Sequence, residues 1–193
     1  MERKVVAATG NKNKLREFTE ILAPLGYQVI GLDELNIDID VEETGSTFEE
    51  NSEIKAKAVM EITGMAALAD DSGLVVDALN GEPGIYSARY CEGTDEDRVN
   101  FLLKKLKDVP YEKRTARFVS AVTLCYPDGD VVCGRGECEG HITFEPKGEN
   151  GFGYDPVFYT DVYNKTLAEV TPDQKNRISH RGNALYDLQC KLI

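Results

Sequence analysis

The alternation of short apolar runs with amphipathic helical stretches in the first half of the chain constrains the fold most. Val5 to Ala8 is an apolar run of strand type, and Thr9-Gly10-Asn11 turns the chain after it. Leu15, Phe18, Ile21 and Leu22 then recur at helical spacing, until Pro24 and Gly26 end the helix. Tyr27 to Gly31 reads as a second strand, and Asp33 to Gly45 as an acidic, irregular stretch. Thr47 followed by Glu50 has the spacing of a capping box, and the helix it opens carries Ile54, Ala58 and Ile62 on one face. Met65 to Ala69 is a small-residue apolar run, after which Asp70-Asp71-Ser72-Gly73 predicts a sharp turn into Leu74 to Ala78.

The second half changes character. Gly81 to Gly84 reads as a loop. Thr94 and Asp97 start a helix with Val99, Leu102, Leu103 and Leu106 facing inward. Arg117 to Tyr126 and Val131 to Glu139 form a hairpin about Pro127-Asp128-Gly129-Asp130. Gly148 to Tyr154 is a glycine-rich loop, and a last helix carries Ala184, Leu185, Leu188 and Leu192. Early strand–helix alternation with a later hairpin predicts an α/β fold with a mixed sheet. Residues 1–193 suit a single domain, with room for two lobes about a cleft.

Composition limits the function. The formal net charge of −12 opposes a role in coating nucleic acid, which needs a basic track. It leaves room for a small anionic ligand held by a few lysines and a metal ion. No apolar run approaches the ~20 residues that span a bilayer. Met1 to Ala8 lacks the length and cleavage site of a signal peptide, so the expected compartment is the cytoplasm and no membrane partner is expected. The five cysteines form no CxxC pair, and Cys133 and Cys138 have no histidine at a zinc spacing, so free thiols are expected.

Five constellations can carry chemistry. Thr9-Gly10-Asn11-Lys12-Asn13-Lys14 joins a strand to a helix, where free N–H groups and the helix dipole suit a phosphate, and Lys14 lies in the first helical turn. The spacing is not that of a Walker loop, and a polar turn with solvated lysines is the plain alternative. Asp70-Asp71-Ser72-Gly73 brings adjacent carboxylates to a strand end. They can hold Mg²⁺ or take a proton from water, or simply serve as turn residues. Neighbours in a strand point opposite ways, so only one of the two aspartates should face a site. Glu42-Glu43-Thr44-Gly45 can supply another metal carboxylate or be a solvated loop, and Lys55 follows on the next helix. Gly151-Phe152-Gly153-Tyr154-Asp155-Pro156 can stack an aromatic ring on a nucleobase or form a rigid surface turn. Lys175 to Gly182 gathers cations and His180, either for phosphate and base contacts or as a solvated basic stretch.

In order along the chain, TGNKNK, EETGSTFEENSEIKAKA, ADDSG, GEPGIYSARY, GFGYDP and ISHRG resemble the Ham1/inosine triphosphate pyrophosphatase family, near its bacterial dITP/XTP pyrophosphatase branch. The resemblance runs from about Val5 to Leu185. It implies an elongated two-lobed α/β fold with a central mixed sheet and a deep nucleotide-binding cleft. It implies a homodimeric, Mg²⁺-dependent enzyme that cleaves ITP, dITP and XTP to the monophosphate and pyrophosphate. By this resemblance Thr9, Gly10, Asn11, Lys12, Asn13 and Lys14 bind phosphate, Lys55 contacts phosphate, and Asp71 is general base and metal ligand with Ser72 beside it on the substrate. Glu43 is the other metal carboxylate, with adjacent Glu42 as the alternative. Phe152, Gly153, Tyr154 and Asp155 contact the base, and Lys175, His180 and Arg181 hold base and phosphate. The competing readings are a pyrophosphatase for other modified nucleotides, a non-catalytic nucleotide sensor, and an RNA-binding regulator, the last opposed by the net charge of −12.

Overall fold

In the computed structural model, which describes residues 3–192, strand β1 (Arg3–Ala7) pairs in parallel with β2 (Tyr27–Gly31), Val5 opposite Val29. Met1 and Glu2, at the start of the N-terminal strand reading, lie outside the described residues, as does Ile193. Helix α1 (Lys12–Leu22) makes the crossover, and a left-handed Gly26 (φ 82°) turns the chain into β2. β3 (Ala67–Val76) lies parallel on the other side of β1, Val6 opposite Ala67. Along the chain follow α2 (Phe48–Thr63) before β3, then α3 (Asp95–Lys105), β4 (Thr115–Cys125), β5 (Val131–Ile142), β6 (Phe158–Thr160), β7 (Lys165–Thr166), α4 (Pro172–Ile178) and α5 (His180–Lys191). The strand order is β2-β1-β3-β4-β5-β6-β7, parallel at β1 and antiparallel from β5 to β7. This is the expected mixed α/β sheet.

The chain forms two compact units. The first comprises Met1–Asp71, Ser120–Gly136 and Arg181–Ile193. Its strands are apolar on both faces, as a sheet covered on both sides requires. Val5, Ala7 and Leu68 pack with Phe18 and Leu22 of α1 and with Ala184, Leu185 and Leu188 of α5. Val6, Ala67 and Ala69 pack with Ala56 and Val59 of α2. Each such leucine, fully buried, contributes about 1.5–3 kcal/mol. Gly134 of β5 lets α5 lie close, because a Cβ there would collide with the Ala184 carbonyl and Leu188.

The second unit comprises Ser72–Val119 and Glu137–His180. Its core joins Leu74, Val76, Val99, Leu102, Phe118, Ile142, Tyr154 and Phe158. Helix α3 begins with the expected capping box of Thr94 and Asp97, and α4 with one of Thr171 and Gln174. Arg114 is buried yet satisfied: its guanidinium donates to the carbonyls of Leu106, Val109 and Thr143.

Three local expectations are corrected. Asp70-Asp71-Ser72-Gly73 is not a turn but the middle of β3, which runs unbroken from Ala67 to Val76. Strand pairing outweighs the turn preference of Asp, Ser and Gly here. The buried face of α2 is not Ile54, Ala58 and Ile62 but Phe48, Asn51, Ser52, Ala56 and Val59, and Ile62 is 57% exposed. Two of those buried residues are polar, so hydrophobic spacing pointed to the wrong side. At the start of α2, Thr47 accepts the Glu50 amide as a capping box requires, but the Glu50 carboxylate turns mainly to the amide (2.7 Å) and hydroxyl (2.8 Å) of Ser46.

Candidate active site

The alternation of β3 sorts the paired aspartates. Asp70 shares the face of Leu68 and meets α1 and α5, while Asp71 shares the face of Ala69 and meets α2. Both carboxylates are buried. Such burial is costly without partners, and each has them.

On the Asp70 face, Lys14 Nζ stands 3.1 Å from Asp70 Oδ1. Arg181 Nε is 3.2 Å from Asp70 Oδ2, and its Nη1 pairs with the Glu17 carboxylate. Arg181 is only 1% exposed, and burial holds its pKa down at about 10. Lys14 is likewise lowered, first by burial and then by the nearby Arg181 and Lys55 charges, with Asp70 opposing.

The segment before α1 is organised by its own side chains. Asn11 caps the helix by accepting from the amides of Asn13 (2.9 Å) and Lys14 (3.2 Å), and its amide donates to Thr9 Oγ1 (3.1 Å). Fewer backbone N–H groups are therefore open here than a bare helix start would offer. Gly10 is exposed, outside the left-handed region, and a Cβ on it would meet nothing within 4 Å, so its tight-turn role is not required. Lys12 is exposed at the first position of the helix.

On the Asp71 face, Lys55 Nζ lies 2.6 Å from Glu43 Oε1 and 3.8 Å from Asp71 Oδ1. Lys55 is thus not a solvent-facing lysine. Burial pulls its pKa down, but Asp70, Asp71 and Glu43 together outweigh burial and raise it. Burial raises the Asp71 carboxyl, against the pull of Lys55 and Asn51. Glu42 is exposed, whereas Glu43 is half-buried and turned to Lys55. Asn51, which the sequence reading passed over, donates from Nδ2 to Asp71 Oδ2 at 3.0 Å.

Among the described residues, no three His, Cys, Asp or Glu side chains are grouped to hold a metal. The pair Glu43 and Asp71, both facing one ammonium, offers hard oxygen donors. That set suits Mg²⁺, which takes one or two carboxylates and completes its shell with water and phosphate.

In the second unit the glycine-rich loop has a backbone that only glycine adopts without strain at three positions. Gly148, Gly151 and Gly153 all have positive φ, and a Cβ on Gly151 would strike the Asp155 carboxylate. Asp155 Oδ2 accepts from Phe152 N (2.9 Å) and from Lys175 Nζ (2.8 Å). The Lys175 ammonium lies 4.5 Å from the centroid of the Phe152 ring, a cation–π contact. Tyr154 is a core residue: its ring is buried and its hydroxyl donates to the Ser87 carbonyl at 2.8 Å. Only Phe152 of the two aromatics keeps part of its ring accessible. Asp95, at the first turn of α3, accepts the Gly153 amide at 2.8 Å, a loop clamp with no sequence signal beyond its place in a capping segment. His180 is buried and stacks on Phe118 with centroids 4.8 Å apart, and Lys175 and Ser179 are buried too, so this stretch is not the solvated basic segment of the plain alternative. Ser72, next to Asp71 in β3, is half-buried.

A protein-family model described as the Ham1 family matches residues 5–190. The chain is 48% identical over 185 residues to a dITP/XTP pyrophosphatase of Halalkalibacterium halodurans, covering 95% of each chain. It is 50% identical over 185 residues to a dITP/XTP pyrophosphatase of Symbiobacterium thermophilum, covering 95% of this chain and 92% of the relative. Among solved structures, the Ham1 protein of Staphylococcus aureus superposes with a TM-score of 0.87 at 45% identity over 98% of both chains. The family model and the relatives cover nearly the whole sequence, and the chain belongs to the Ham1 family.

Proposed function

We propose that this chain hydrolyses non-standard purine nucleoside triphosphates, ITP, dITP and XTP, to the monophosphate and pyrophosphate, and so cleanses the nucleotide pool. The observation that carries the reading is the buried Asp71 carboxylate, set 3.8 Å from a lysine that also bonds Glu43, with Lys14 nearby on Asp70. The names of the relatives, dITP/XTP pyrophosphatase, support the substrate class.

In the proposed reaction water attacks the α-phosphorus, the bond to the bridging oxygen breaks, and pyrophosphate leaves with that electron pair. Asp71 orients the water or accepts its proton. Burial raises its carboxyl, which improves it as a proton acceptor. Lys14 and Lys55 exchange carboxylate partners for the more highly charged phosphates, and Lys12 with the side-chain Nδ2 of Asn11 adds donors at the start of α1. Mg²⁺, when held by Glu43 and Asp71, supplies further neutralisation of the phosphate oxygens.

Base selection is assigned to Phe152, for stacking, and to donors around Asp155, Lys175 and His180. ITP and XTP carry a keto oxygen at purine position 6 where ATP carries an amine. Donors aimed there donate to the keto oxygen and are left unpaired against the amine, at roughly 1–3 kcal/mol each. Arg181, engaged by Glu17 and Asp70, is assigned to the charge network under Lys14.

We place the enzyme in the cytoplasm as a homodimer. No helix among the described residues is long and apolar enough to cross a membrane, and exposed Phe144, Val162 and Tyr186 offer apolar contact area. Sedimentation of the purified chain checks the dimer. The activity is tested by pyrophosphate release from ITP, dITP, XTP, GTP and ATP with and without Mg²⁺. Turnover of ITP and XTP far above ATP is expected. Equal turnover of all five, or preference for a modified pyrimidine triphosphate, overturns the substrate assignment.

A further inference from the structure

The strongest unassigned feature is a buried amide at the Asp71 face. Asn51 is 0% exposed, in the first turn of α2. Its Oδ1 accepts the Gly45 backbone amide at 2.8 Å, and its Nδ2 donates to Asp71 Oδ2 at 3.0 Å. The orientation of the amide is fixed by its partners, because a backbone N–H can only donate and a carboxylate can only accept. Gly45 lies two residues beyond Glu43, and a Cβ on Gly45 would press on Asn51 Oδ1 at 2.6 Å. One side chain thus ties the Glu43 loop and the Asp71 carboxylate to the same helix.

We propose that Asn51 is a positioning residue that holds Asp71 and the Glu43 loop in mutual register through its two hydrogen bonds. It takes Oδ2 of Asp71, so that Oδ1 is the oxygen turned to Lys55. An unheld carboxylate would rotate about its side-chain torsion and share both oxygens with the Lys55 ammonium. The inference rests on the reading of Asp71 as the reacting carboxylate.

The neighbouring residue supplies the control. Ser52 is as fully buried as Asn51, but its hydroxyl bonds Thr123 Oγ1 (2.7 Å) and the Glu49 carbonyl (2.9 Å), away from Asp71. The test compares Asn51→Asp, Asn51→Ala and Ser52→Ala in the full chain, with ITP as substrate. Both Asn51 variants lose about 10–100-fold in kcat while KM stays near the wild-type value, as expected for a group that orients a reacting carboxylate. Ser52→Ala keeps wild-type kcat and KM. A second readout needs no turnover. Asn51→Asp opposes two buried carboxylates and lowers the thermal midpoint, and adding Asp71→Asn restores it, because an amide at 71 donates to the carboxylate at 51. Asn51→Ala, which adds no charge, carries the kinetic test if Asn51→Asp does not fold. Wild-type kcat in either Asn51 variant, an equal loss in Ser52→Ala, or strictly additive midpoints in the Asn51→Asp and Asp71→Asn pair overturns the inference. Wild-type protein inert on ITP and XTP, or Asp71→Asn at full turnover, instead sinks the functional reading beneath it.

Discussion

Lys14 Nζ stands 3.1 Å from Asp70 Oδ1 in a setting that lowers the lysine's pKa rather than raising it. The charge on Lys14 is therefore lost at a pH below the usual lysine value of 10.5. A lowered lysine binds fewer protons folded than unfolded, so its own contribution makes stability rise with pH up to the unfolded value. Its proposed hold on phosphate moves the other way. KM for ITP should climb on the alkaline side sooner than a solvated lysine would give, and Lys14→Arg should flatten that climb. The check is KM against pH for both proteins.

Asp71 shows the opposite sign. Burial raises its carboxyl, so the folded state binds more protons than the unfolded state between the ordinary value and the raised one. The ionised form, to which the proposed reaction assigns the water, is thus the form that burdens the fold. Asp71→Asn should lose most turnover yet melt no lower than wild type at neutral pH, with a gain of about 2–4 °C for each kcal/mol relieved. Calorimetry beside pyrophosphate release decides it. In wild type, kcat/KM should fall on the acid side at a pH above the ordinary aspartate range.

The Glu17–Arg181 pair is buried, and removing one partner strands a charge. Glu17→Gln should cost about 3–5 kcal/mol in urea unfolding, while the double replacement Glu17→Leu with Arg181→Met should recover much of that loss. Equal destabilisation in single and double variants would count against a coupled pair.

Gly151 tests the base-reading loop. At φ +76° any other L-residue is strained, and a Cβ there meets the Asp155 carboxylate that holds Phe152 and Lys175. Gly151→Ala should destabilise by about 1–3 kcal/mol. It should also narrow the ITP to ATP ratio in kcat/KM more than it lowers kcat for ITP. Competition assays with paired substrates read this directly.

Removal of divalent metal by a chelator should abolish turnover, and Mg²⁺ should restore it. Glu43→Gln should raise the Mg²⁺ concentration needed for half-maximal rate, whereas Glu42→Gln, at an exposed side chain, should leave it unchanged.

Local periodicity reached far into this fold. The β1–α1–β2 crossover, the hairpin of β4 and β5, the Thr94 cap and the apolar stripe of α5 all follow from spacing and turn chemistry that act over a few residues. Asp70 to Gly73 was misjudged because local composition favours a turn, while the β3 pairing that overrides it comes from distant chain. The buried side of α2 was misjudged for a related reason. Asn51 and Ser52 look like solvent-facing polar residues until Asp71 and Thr123 are brought to them. The ordered motifs pointed to Lys14, Lys55, Glu43 and Asp71, which the structure places in ion pairs about Asp70 and Asp71. They did not reveal that Tyr154 is a core anchor, because a tyrosine that fills a core and one that stacks on a ligand are written alike.

The placement of Asp70 and Asp71 on opposite sides of β3 has a consequence for how such a chain can be altered. Inserting one residue between Ala69 and Asp70 would rotate every later side chain of the strand by half a turn. Asp70 would then stand where Asp71 meets α2, and Asp71 would move on to the place of Ser72, on the other face. Exchange of a side chain at either position changes the direct partners of one layer and reaches the other only through charge, as Asp70 does at Lys55 and Lys55 at Lys14, whereas a change in strand length edits the contacts of both at once.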